Sequence, residues 1–237
     1  METRVTEVAD GIHQLTTYVD VADFSFNQYL VAGDEPLLFH TGGRQLFPLV
    51  SEAIAKVVPV ESLRWISFGH VESDESGSMN DFLARAPQAT VAQSVIGCMV
   101  SINDLADRPP RPLASGEVLD IGGHRMRWID TPHVPHGWET GVLFDETTRT
   151  LLCGDLFTRQ GAYAATSDDD VVGPAVAAED VYGAFSLSPK TGGILRGLAD
   201  LDIGTLALMH GPAYSGDCSK ALLELADDVE RRMAAAA

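Results

Sequence analysis

The sequence predicts a layered α/β fold in which two sheets pack face to face beneath helices. Three observations point there. Strand-like runs occur in both halves of the chain, helix-like runs punctuate each half, and 237 residues with 45% hydrophobic content supply one sizeable core. That is too little for two ordinary domains and a linker, so residues 1–237 read as one domain.

The elements follow in order. Short β-like runs alternate with polar turns at "GIHQLTTYV", "NQYLVAG" and "PLLFHTGG". An amphipathic helix is expected at "LFPLVSEAIAKVV", where Leu46, Leu49, Val50, Ala53, Ile54 and Val57 share one face. The continuous apolar run "LRWISFG" reads as a buried strand, and "SMNDFLARA" as a helix with Ser78 available as its cap. Further strands are expected in "ATVAQS", "GEVLDIGG", "HRMRWIDTP", "TGVLFDE" and "TLLCGDLF". Between 158 and 192 the pattern weakens into a loop entering a helix at "TSDDDVVGPAVAAED". A helix at "ILRGLADL", a strand at "GTLALMHG" and a terminal helix from Cys218 complete the chain.

A net charge of −18 opposes binding to a nucleic-acid backbone or an anionic membrane. The N-terminal "METRVTEVADG" lacks the basic start and apolar stretch of a signal peptide, and no later run approaches the ~18 apolar residues of a spanning helix, so the chain reads as cytoplasmic. Cys98, Cys153 and Cys218 are far apart, form no CxxC pair and read as buried free thiols.

Chemistry concentrates after the strands. "ISFGHVESDESG" places His70, Glu72, Asp74 and Glu75 within six positions behind a buried strand; His133 and His136 follow in "DTPHVPHGWE", Asp155 in "LLCGDLF" and His210 in "LALMHGP". All sit at the C-terminal edge of an apolar segment, where strands of an α/β fold can aim side chains at one point. Imidazoles and carboxylates converging on one rim describe a metal site, since unpaired buried carboxylates are costly. Carboxylate in place of imidazole hardens such a site, favouring iron or manganese over zinc.

The ordered motifs, "HxExD", a His after "TP", "GD" and a late "HG", resemble the metallo-β-lactamase fold, a four-layer αββα sandwich. Its usual members carry "HxHxDH"; Glu72 and Glu75 depart from that pattern. Glu72 is similar to the flavodiiron branch, and "FGHVESDESG", "TPHVPHGWE" and "LLFHTGGRQLFP" resemble the oxygen-binding diiron proteins over about residues 25 to 215. The resemblance implies two iron ions, with zinc or manganese as the alternative, and space for an oxo or hydroxo bridge. His70, Glu72 and a third-motif His would hold one iron, Asp74 and His210 the other, and Asp155 would bridge. The spacing of His136 to "GD" and the following "GWET" resemble the flavodiiron pattern, which favours it over His133, whose preceding Thr-Pro resembles the hydrolase motif; the other imidazole would support the site from behind or gate it. Glu75 stands where most of the fold has a His, leaving it either a supporting residue or an alternative ligand. His40 lies where the fold commonly has an Asp near the metals.

The implied function is binding of O2 or another small diatomic such as NO, as sensor or carrier, or its reduction by an external flavin or redox partner. No flavin-binding part is expected after residue 215. A separate signalling protein and a homodimer are further implied partners. The alternative function is dinuclear metal-dependent hydrolysis of an ester, lactone or phosphoester; a third is a binding module with a structural metal. Phe24, Phe26, Trp138, Tyr163 and Tyr182 are candidates to line an apolar pocket, and His13 and His124 read as surface residues.

Overall fold

The computed structural model describes residues 1–236. Seven strands form the first sheet in chain order: β1 (Thr3–Ala9), β2 (Ile12–Val19), β3 (Phe24–Val31), β4 (Leu37–Phe39), β5 (Trp65–Ser67), β6 (Thr90–Ser94) and β7 (Arg111–Leu113). β1 to β4 pair antiparallel, and β4 to β7 pair parallel. The second sheet contains β8 (Val118–Asp120), β9 (Arg125–Asp130), β10 (Gly141–Asp145), β11 (Thr150–Leu152), β12 (Thr166–Ser167), β13 (Thr205–Ala207) and β14 (Ala213–Tyr214), in the order β12-β14-β13-β11-β10-β9-β8. β11 and β13 are parallel, and two antiparallel steps through β10 give β9 the same direction as β11.

The expected αββα layering is therefore present, and residue parity explains it. Along β4, Leu37 and Phe39 face the second sheet, where they meet Trp128, Leu143 and Leu152, whereas Leu38 faces the helix layer with Leu30 and Ile66. Strands covered on both faces read as continuous apolar runs. The helices Phe47–Ala55 and Met79–Arg85 cover the first sheet through Val50, Ala53, Ile54, Phe82 and Leu83. The helices Thr191–Ala199 and Cys218–Ala236 cover the second through Leu195, Leu198, Leu222 and Leu225. Of the face expected for the first helix, Val50, Ala53 and Ile54 are buried, with Leu46 in the turn preceding it; Leu49 and Val57 are half-buried.

Two elements lie in stretches with no expected element, and the expectations for Ser78 and His124 are corrected. "TRVTEVA" is strand β1, paired with β2 from Thr3↔Thr17 to Ala9↔Ile12. Residues 95–105 are helical with a π-helical stretch at Cys98–Ile102. Ser78 does not cap its helix, because its hydroxyl donates to the Gly43 carbonyl at 3.0 Å. His124 is buried, with Nδ1 2.8 Å from Asp145 Oδ2, and is no surface residue. The three cysteines are free and buried. Among the described residues, no helix is long and apolar enough to cross a membrane.

Candidate metal centre

The site lies past the carboxyl ends of β4, β5, β9, β11 and β13, all on one rim of the two sheets. β4 leads directly to His40, β5 to Gly69 and His70, β11 to Gly154 and Asp155, and β13 to His210. The rim is held together across the sheets. The Asn27 amide donates to the carbonyls of Leu208 at 2.8 Å and Gly211 at 2.7 Å, the Tyr29 hydroxyl donates to Leu208 O at 2.7 Å, and Gly141 N donates to Gly69 O at 3.0 Å.

After His70 the chain is extended at Glu72 and then enters the four-residue helix Ser73–Ser76. Asp74 and Glu75 are consecutive in its first turn and therefore point about 100° apart. Asp74 faces His210, Oδ2 to Nε2 3.5 Å, while Glu75 turns behind His70.

One group comprises His70, Glu72, His136 and Asp155, whose donor atoms all lie within 4.8 Å of one another. His70 Nε2 is 3.4 Å from Glu72 Oε1 and 3.7 Å from Asp155 Oδ2; His136 Nε2 is 3.2 and 3.6 Å from the same two oxygens. A second group comprises Asp74, His210 and the other oxygen of Asp155, with His210 Nε2 3.4 Å from Asp155 Oδ1. Asp155 thus offers one oxygen to each group.

The donor set fits divalent cations. Two ligand atoms each ~2.1 Å from one ion stand roughly 3 to 3.6 Å apart at tetrahedral to octahedral angles, close to these separations. The imidazoles are also oriented for it. His136 Nδ1 lies 3.1 Å from Ala184 O, His210 Nδ1 3.0 Å from Ser25 O, and His70 Nδ1 3.2 Å from Glu75 Oε1. Those acceptors favour a proton on each Nδ1, so the Nε2 turned toward the carboxylates is the nitrogen left to hold a metal or a second proton. The Nε2 atoms of His70 and His136 face each other at 3.0 Å, and buried Asp155 Oδ1 has no hydrogen-bond donor. Without a proton or a metal cation between them, the facing Nε2 atoms and the carboxylates would repel one another.

The electrostatics agree. Burial alone would lower the pKa of His70, but Glu75, Glu72 and Asp155 more than offset it and raise it to about 11. His210 is likewise depressed by burial and carried up by Asp155 and Asp74 to about 10. Burial pushes the Asp155 carboxyl up, and His210, His70 and His136 together hold it well below the usual range. The cluster demands positive charge, as protons or as metal.

Glu75 is enclosed behind His70. Oε2 accepts the His70 backbone N–H at 2.7 Å, and Oε1 faces His70 Nδ1 and, at 3.5 Å, His40 Nε2. A Cβ on Gly69 would come within 3.1 Å of this carboxylate, so the glycine makes its place. His40 is fully buried, and its burial lowers its pKa. His40 and Glu75 thus support the cluster from behind. His133 is exposed, and only its backbone N–H, donating to Gly137 O at 2.7 Å, ties it to the turn that presents His136. His40, His133 and Phe157 all have φ near +60°, at 66°, 65° and 61°. Non-glycine residues held there cost about 1–3 kcal/mol each, a strain that clusters at functional sites.

Of the expected pocket residues, Phe24, Phe26 and Tyr182 line a cavity over the cluster. Trp138 is largely exposed and Tyr163 hydrogen-bonds Ser25 and Asn27, so neither lines it. The sequence reading missed Phe157, Phe185 and the backbone anchors Ala184 and Ser25; only Phe157, two residues after Asp155 in "GDLF", carried a positional signal.

Two facing mixed sheets under helices, with histidines and carboxylates gathered on one rim, define a metallo-β-lactamase-fold protein of the flavodiiron-like branch. Residues 24–174, more than half of the chain, match the family described as ODP family beta lactamase, and the chain belongs to that family. A protein of Nostoc sp. assigned as a diflavin flavoprotein A is 27% identical over 215 residues, 87% of this chain and 35% of that one. The diflavin flavoprotein A 1 of Synechocystis sp. is 24% identical over 212 residues, with the same two coverages. The chain thus spans about a third of the length of these relatives. Among solved structures, rubredoxin oxygen:oxidoreductase of Desulfovibrio gigas superposes with a TM-score of 0.80 at 17% identity, over 94% of this chain and 62% of that one. That likeness is one of fold.

Proposed function

We propose that the chain is a non-haem diiron protein that binds O2, with His70, Glu72 and His136 holding one iron, Asp74 and His210 the other, and Asp155 shared between them. The carrying observation is that three imidazoles turn Nε2 toward three carboxylates while Nδ1 of His136 and of His210 meets a backbone carbonyl and Nδ1 of His70 faces the Glu75 carboxylate at 3.2 Å. Glu72 supports iron over zinc, because a carboxylate at that position gives a harder, more anionic set. Bound iron would supply the electrons that O2 accepts on binding. The chain's own residues fix the geometry: Ala184, Ser25 and Glu75 orient the imidazoles, and Phe24, Phe26 and Phe157 line the cavity above the cluster. Whether O2 is carried, sensed or reduced turns on an electron donor, and the flavoprotein relatives suggest an external flavin or redox protein.

The test is O2 uptake by protein loaded anaerobically with ferrous iron, beside a zinc-loaded control. Uptake of about one O2 per two irons, with a new visible absorption band, supports the proposal. No uptake by fully loaded protein overturns it and favours a dinuclear hydrolase, whose activity would survive in zinc.

A further inference from the structure

The cavity over the donor cluster measures about 290 Å³. A diatomic gas needs space on the order of one water's share of the liquid, ~30 Å³, so the cavity exceeds that need several-fold. It is close to the lower bound of small-molecule sites, ~300 Å³. The walls are apolar, formed by the rings of Phe24, Phe26, Tyr182 and Phe185, and the space between them exists because the helix Val172–Tyr182 presents Ala175 and Ala178 there. Any larger apolar residue at those two positions would fill it.

Two polar side chains of the upper walls, Thr158 and Glu179, are already engaged. The Thr158 hydroxyl donates to Asp155 O at 2.7 Å, and the Glu179 carboxylate accepts the N–H groups of Ala184 at 2.9 Å and Phe185 at 3.2 Å. The unsatisfied polar atoms are on the floor, where Asp155 Oδ1 is buried without a donor. Apolar walls with one polar end select a molecule of the same design.

We infer that this cavity binds a small organic monoanion, with an oxygen-donor head at the donor cluster and a single-ring apolar body between Phe24, Phe26, Tyr182 and Phe185. The sign of the head rests on the dinuclear reading: Glu72, Asp74 and Asp155, the carboxylates that would touch two divalent ions, bring three negative charges against four positive ones, while Glu75 lies behind His70 and the Glu179 carboxylate is held by two backbone N–H groups of the upper wall. The fit of the body rests on the walls alone. The ring edges of Phe24 and Phe26 on His210, each 5.2 Å between centroids, fix the wall nearest the floor.

The test titrates zinc-loaded protein calorimetrically with benzoate and with acetate, which shares the head and lacks the body, while metal content is measured on the same sample. Benzoate is expected to bind about 10- to 100-fold tighter than acetate. Ala178→Leu should remove that advantage and leave metal content and acetate binding unchanged. Phe24→Ala, which enlarges the cavity instead of filling it, should move the preference toward 2-naphthoate. In metal-free protein, benzyl alcohol should show saturable binding by NMR that Ala178→Leu abolishes. Benzyl alcohol binding beside a metal content short of two ions would sink the dinuclear reading and sustain the cavity's role for the body. Equal affinities for benzoate and acetate, a benzoate advantage that survives Ala178→Leu, or no benzyl alcohol binding overturns the inference.

Discussion

Glu75→Gln isolates the role of the carboxylate behind His70. Glu75 is 1% exposed and faces three nitrogens: the His70 backbone N–H at 2.7 Å, His70 Nδ1 at 3.2 Å and His40 Nε2 at 3.5 Å. Glutamine keeps the shape but makes one oxygen an NH2. Placed at Oε2, the amide leaves the buried His70 N–H without an acceptor; placed at Oε1, it points a donor at two ring nitrogens. Either way a buried donor goes unsatisfied, at about 1–3 kcal/mol of stability in the metal-free protein. His70 also loses the anion that sets its tautomer and raises its basicity, and removing such partners typically lowers metal affinity roughly 10- to 100-fold, about 1.4–2.7 kcal/mol. Zinc affinity by chelator competition, beside urea unfolding of the metal-free form, measures both. Affinity within about twofold of the parent and unchanged stability would refute the argument. Loss of one of two bound metals, with the other at parental affinity, would instead make Glu75 a ligand.

Three further outcomes are expected. His136→Ala should remove the metal of the His70 group, whereas His133→Ala, altering an exposed side chain, should change metal content little; iron titration showing the reverse exchanges their roles. Glu72→His should shift competition between iron and zinc toward zinc, and an unchanged ratio would remove the hardness argument. Asp145→Asn concerns acid stability. Burial pushes the Asp145 carboxyl up, but hydrogen bonds from His124, Thr148 and Thr147 outweigh it and hold its pKa below the ordinary value. A folded pKa depressed below the unfolded ~3.9 gives stability that is present above that pH and lost as pH falls through the folded value. The variant should be about 1–3 kcal/mol less stable at pH 7, with the difference shrinking below about pH 4 in urea titrations; a gap that widens in acid contradicts this.

The rim was legible because its residues follow strands. His70, Asp155 and His210 each come three residues after the end of a short strand, and the fold gathers strand ends by construction. What lay beyond reading depends on contacts between distant parts of the chain. His124 pairs with Asp145 across neighbouring strands, 21 residues away, and neither has a local pattern that marks it as buried. The β1 strand does carry a local signal in the β-branched Thr3, Val5, Thr6 and Val8 of "TRVTEV". The cavity walls draw on β3, the loop after β11 and the helix Val172–Tyr182, and no one-dimensional periodicity reports that assembly.

The same consideration explains how a motif with two departures from the usual pattern can remain a complete site. At position 72 the carboxylate stays on the cluster's side, within 3.4 Å of His70 and 3.2 Å of His136, so under the proposed dinuclear reading that departure would change the donor set and with it the preferred ion. At position 75 the side chain lies on the opposite side of His70, so that departure leaves the donor count of the second group at Asp74, Asp155 and His210 and acts on the first group through an imidazole. Asp74 and Glu75, adjacent in one short helix, face different groups because a single residue step turns the helix by about 100°. A carboxylate placed behind a ligating histidine and another placed beside it push the centre the same way, toward more negative charge and a harder ion, and the two should be tested together: if Glu72→His shifts the centre toward zinc, Glu72→His with Glu75→Gln should shift it further than either change alone.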